Sequence, residues 1–127
     1  MLAPQQEVEV DVRKEDQEKI NEFGRNNTRL AELRDELKAL KSRLETLDDA
    51  NTEIMMGSGE NVQLFIGESF VEVSEEYAQE YLEAQTEKVN AKVDKLNAEE
   101  AKLETRQEAL KKVLYGRFGQ SINLEDK

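Results

Sequence analysis

The chain of 127 residues contains no cysteine, no histidine and no tryptophan, and only one proline. Without cysteine there is no disulfide framework, no thiol nucleophile and no cysteine-based zinc site. Without histidine the usual general base, the Ser/His and Cys/His pairs and the commonest metal ligand are missing. No apolar run approaches the roughly 20 residues of a membrane span. Residues 1–7 show neither a basic n-region nor an apolar h-region, so a cytoplasmic protein with no membrane partner is expected. Apolar residues make up 37% and charged residues also 37%, too few apolar side chains for a thick globular core. The net charge of −11 argues against a nucleic-acid partner, which needs an excess of Lys and Arg.

What is present is helical periodicity. Leu30, Leu33, Leu37, Leu40, Leu44 and Leu47 alternate in steps of three and four, and Ile54 continues the series. This is the a/d seam of a heptad. Extended backwards, it reaches Phe23, with Ile20 beside it. The spacing predicts a helix over 15–56, about 60 Å long at 1.5 Å per residue. A second helix is predicted over 75–118, with Ser74 as its N-cap, Glu75 and Glu76 at the positive pole, and Gly119 as its stop. Leu82, Val89, Leu96, Leu103 and Leu110 repeat every seven residues there. The alternate positions, Thr86, Val93, Glu100, Gln107 and Leu114, include two long polar side chains, which weakens this seam.

Between the helices, residues 57–74 change period. Val62-Gln63-Leu64-Phe65-Ile66 and Ser69-Phe70-Val71-Glu72-Val73 are β-rich runs around Gly67-Glu68, a pair suited to a type II′ hairpin turn. That register sets Val62 opposite Val73, Leu64 opposite Val71 and Phe65 opposite Phe70. One face then reads Val62, Leu64, Ile66, Val71, Val73, and the other carries Phe65 and Phe70. The expected fold is mainly α: a long antiparallel two-helix coiled coil joined by a β-hairpin, in one domain over 1–127 with tails at 1–14 and 119–127. A lone two-stranded hairpin is marginal in water and leaves two open edges. Val62, Leu64, Phe65, Ile66, Phe70, Val71 and Val73 are therefore expected to assemble between subunits into a β-barrel. Met55 and Met56 are expected to pack the helix end against the hairpin. Asp48, Asp49 and Glu53 lack the spacing and glycine of an EF-hand loop and read as a solvated face. Asn26-Asn27-Thr28 matches a glycosylation sequon but reads as a chance match on a helix.

Several stretches resemble the prefoldin family. They are Glu15-Asp16-Gln17-Glu18-Lys19-Ile20-Asn21-Glu22-Phe23 with Arg25-Asn26, Leu47-Asp48-Asp49-Ala50 leading to Ile54-Met55, the hairpin from Gln63 to Phe70, and Leu114-Tyr115-Gly116-Arg117-Phe118-Gly119 followed by Ile122-Asn123-Leu124-Glu125. The resemblance runs from about residue 8 to 125. It implies a hexamer of two α-type and four β-type subunits, and the single hairpin marks this chain as similar to the β-type. It further implies capture of non-native actin and tubulin at coiled-coil tips and ATP-independent delivery to the cytosolic chaperonin. The pattern departs at Arg13, where relatives carry a capping Thr, and at Gly116, where they tend to carry Ala. Both changes suggest a looser tip.

The residues support that tip without the family. Val10, Val12, Ile20, Phe23, Leu114, Tyr115, Phe118, Ile122 and Leu124 gather at the chain ends, where no barrel covers them. Apolar groups rimmed by charge suit a weak, promiscuous hydrophobic binder. No catalytic residue, metal site or cofactor is expected, because no ligand constellation or phosphate-cradling loop is present. The competing reading is a coiled-coil scaffold or tether that binds no client. It leaves unexplained both the hairpin between the helices and the apolar chain ends.

Overall fold

The computed structural model describes residues 14–57, 61–66 and 68–119, without the side chains of Phe65 and Ile66. Its elements are α1 (Lys14–Met55), β1 (Val62–Ile66), β2 (Ser69–Val73) and α2 (Glu75–Phe118). The two strands pair antiparallel, with Val62 opposite Val73, Leu64 opposite Val71, Phe65 opposite Phe70 and Ile66 opposite Ser69, the register predicted from the two-residue turn. The mainly α fold, two long helices with a hairpin between them, is the one the seam and the period change predict. Gly67, like Arg13, lies outside the described residues.

Contacts divide the chain into two compact units. The first unit takes α1 up to Arg34 and α2 from Ala98. Its helix segments run antiparallel, with Asp16 meeting Arg117, Glu22 meeting Arg106 and Arg29 meeting Glu99. Phe23, Leu110 and Leu114 form its apolar cluster, with Ile20 and Phe118 packed on it. The second unit, Asp35–Asn97, holds the hairpin. Its cluster is Leu47, Ile54, Leu64, Ala78, Leu82 and Val89, flanked by Leu40, Leu44, Val62, Val73 and Val93.

The caps follow the sequence. The Ser74 hydroxyl accepts a hydrogen bond from the Tyr77 N–H at 3.1 Å, and the Ser74 carbonyl accepts from the Ala78 N–H at 3.0 Å, which satisfies exposed donors of the first turn. Gly119 ends α2 with φ of 59°, a conformation that costs any residue with a Cβ. Gly24 and Gly116 differ from it. Both lie inside helices, and a Cβ at either would meet nothing within 4 Å. No packing requires glycine at either position, so each only loosens its helix. Gly24→Ala and Gly116→Ala are each expected to raise stability by about 0.5–1 kcal/mol. Gly119→Ala is expected to lower it. Thermal or urea melts of the three variants check all three signs.

Candidate functional site

The first unit ends in an apolar cluster closed by charge. Phe23 and Leu114 are buried, at 3% and 0% exposure. Ile20 and Phe118 are half-buried against them. Among the described residues predicted for client contact, Tyr115 is the exposed one, at 38%. Val113 joins it at 45%. The sequence reading passed over Val113 because it falls between seam positions, yet an apolar side chain off the seam is where solvent exposure is forced. Val10, Val12, Ile122 and Leu124 lie outside the described residues. Client contact at Phe23 or Leu114 would need this packing to open.

Asp16 seals the cluster. It is only 3% exposed and accepts a hydrogen bond from Arg117 Nε at 2.6 Å. The Arg117 guanidinium also lies 5.9 Å from the centre of the Phe118 ring, within cation–π range. Asp16 stands one heptad before Phe23, so continuing the seam register past Phe23 would have found it.

A polar layer follows inward. Gln107, 4% exposed, donates to the Phe23 carbonyl at 3.0 Å and to Asn27 Oδ1 at 2.7 Å, and accepts from Asn26 Nδ2 at 3.0 Å. Asn26 also donates to Glu22, and Glu22 accepts two bonds from Arg106 at 2.6 and 2.8 Å. Gln107 therefore does not leave the seam defective, because facing polar residues satisfy it. Asn26 and Asn27, read from the sequon as incidental, are its partners. Glu100, the other long polar side chain of the seam, meets Arg34 at 3.4 Å. The hydrogen bond from Arg106 holds the Glu22 carboxyl below its ordinary 4.5, with Arg106 and Arg25 charge and Asn26 adding to the effect and partial burial opposing it.

The hairpin is the second candidate surface. Leu64 is 8% exposed, with Val62 and Val73 half-buried on the helices of the same unit. Much of the hairpin's apolar face therefore serves its own unit as well as any assembly. Phe70 and Val71 remain exposed, at 69% and 41%, and the side chains of Phe65 and Ile66 lie outside the described set. The expectation that Met55 and Met56 pack against the hairpin is corrected. They are 66% and 81% exposed, because Ile54 takes the last seam position and turns the following residues outward. Among the described residues no acidic cluster could hold a metal, and no helix is long and apolar enough to cross a membrane.

A family profile described as "Prefoldin subunit" matches residues 17–121, which takes in both helices and the hairpin. The chain belongs to the prefoldin family. It is 36% identical over 119 residues to Prefoldin subunit 4 of Homo sapiens and of Bos taurus, covering 92% of this chain and 89% of each relative. Prefoldin subunit 4 of Saccharomyces cerevisiae is 35% identical over 112 residues, 87% of both chains. Prefoldins are non-enzymatic chaperone subunits that associate with other prefoldin subunits, and their barrel forms between subunits.

Removing Arg117 from this prefoldin chain strands the buried Asp16 carboxylate. Arg117→Ala is expected to cost about 1–3 kcal/mol. Arg34→Ala, which removes pairs to the half-buried Glu100 and the exposed Glu104 from a largely solvated guanidinium, should cost at most about 1 kcal/mol. Equal losses in urea titrations would contradict the assignment. For Glu22, a carboxyl depressed on folding contributes stability above pH 4.5 that is lost as pH falls through the lower folded value. Wild type and Glu22→Gln should therefore differ in melting temperature near neutral pH, and the difference should shrink progressively below about pH 4.5.

Proposed function

We propose that the chain is a cytoplasmic subunit of a heterohexameric prefoldin, of two α-type and four β-type members. It captures non-native chains, actin and tubulin among them, at the apolar end of its first unit. It then passes them to the cytosolic chaperonin without ATP. The observation that carries this reading is that Val113 and Tyr115 are both exposed, one on either side of the buried Leu114, in the unit whose apolar cluster is flanked by the half-buried Ile20 and Phe118. Each side chain that a client covers contributes on the order of 1–2 kcal/mol. Several such contacts hold a chain reversibly, and no proton transfer or metal is involved.

The hairpin supports the assembly half of the reading. Its strand pair has only two members, a number that is marginal without further strands. A scaffold without clients would use the hairpin in the same way but would have no use for exposed apolar residues in the first unit. Replacing both Val113 and Tyr115 by Ser separates the two. In a reconstituted hexamer the double variant should assemble normally and suppress aggregation of unfolded actin several-fold less well. Unchanged suppression would favour the scaffold.

A further inference from the structure

Between Arg43 and Lys88 the chain has no cation, while residues 44–87 hold 12 acids. The other 83 residues hold 17 acids against 18 cations, so this one stretch carries −12 and the rest of the chain +1. It is also the stretch that contains both strands and the ends of the helices that flank them. Every described acid in it except Glu75 is exposed. Exposed apolar residues are set among these acids. Met55 and Met56 follow Glu53, Phe70 lies between Glu68 and Glu72, and Tyr77 lies between Glu76 and Glu80.

The fold accounts for only part of this charge. Glu75 and Glu76 sit in the first turn of α2, where the helix dipole favours anions. Glu53, Asp48 and Asp49 approach the opposite pole, at the end of α1, whose last turn holds no basic residue. Anions there work against the dipole. Glu68 and Glu72 lie on the hairpin, where two acids and no cation repel one another. The ion pairs described above all lie in the first unit. A surface that holds apolar anchors amid uncompensated anions is complementary to apolar anchors amid cations.

We propose that this hairpin end docks the hairpin end of a different prefoldin subunit, one that carries lysine and arginine around its own apolar residues, and that the same charge excludes a second copy of this chain. The inference rests on the reading of the chain as a subunit of a prefoldin assembly. Two copies would set one acidic hairpin end against another, with no cation in residues 44–87 of either. Like charges across an interface suppress the wrong partner, and opposite charges speed the right one.

The test uses the full chain at about 50 and about 500 mM salt, where charges are weakly and strongly screened. Its probe is the set of remaining prefoldin subunits. The wild type alone should be monomeric at low salt. A variant carrying Glu53→Gln, Glu68→Gln, Glu72→Gln and Glu80→Gln should self-associate at a concentration about tenfold lower or less. The rate at which the wild type joins the other subunits should fall on the order of tenfold or more with added salt, and the variant's rate should change far less. Assembly at one rate in both salts, equal for both chains, overturns the inference and leaves the subunit reading standing. Failure of the wild type to join the other subunits at either salt overturns both. The salt dependence of the wild type needs no variant, so a variant that misfolds does not protect the proposal.

Discussion

Everything in this chain depends on how little a pair of helices can bury. Each helix has one stripe that faces its partner, and that stripe is filled by single apolar residues in heptad steps. Leu47, Ile54, Leu82 and Val89 serve the second unit in this way, and Phe23, Leu110 and Leu114 serve the first. Among the described residues only the hairpin adds to this stripe, so an apolar helix residue turned away from both meets water. Val113, Tyr115 and Met55 are on the surface for that reason. The same constraint makes the surface available for binding.

The two units meet the constraint differently. In the second, the hairpin lends Leu64, Val62 and Val73 to the helix cluster, and the helices in turn support a strand pair that would be marginal alone. In the first, no strand helps among the described residues, and the short apolar cluster is bounded by polar layers. Gln107 with Asn26 and Asn27 closes one side and Asp16 with Arg117 closes the other. Buried polar groups stabilise little in themselves but cost much when left unpaired. They therefore hold the two helices in one register. Glycines at 24 and 116, which no packing demands, leave the helices around this cluster less rigid than alanine would.

The helices, their caps and the hairpin register were all legible in the sequence, because each is set by local rules. Leucine spacing marks the seams, Ser74 carries a side chain that can cap, and two residues between β-rich runs leave one register that aligns them. Pairing across the seam was not legible. Gln107 looks like a weak point until Asn26 is seen opposite it, and Asp16 looks like a first-turn acid until Arg117 is placed beside it. Met55 and Met56 appeared destined for packing because they follow the seam, but a helix turns about 100° per residue and Ile54 already fills the inward position. The −11 charge, used at first only to argue against a nucleic-acid partner, is concentrated around the hairpin.

The central claim is that the second unit serves assembly and the first unit serves clients. Hydrogen exchange on the chain, alone, in the hexamer and in the hexamer with an unfolded client, tests this most directly. On assembly, slowed exchange should appear across 62–66 and 69–73 and at the end of α1, while the amides around Val113 and Tyr115 remain as they were. Those amides should slow only when the client is added. Protection of the first unit on assembly, with the hairpin unchanged, would contradict the account.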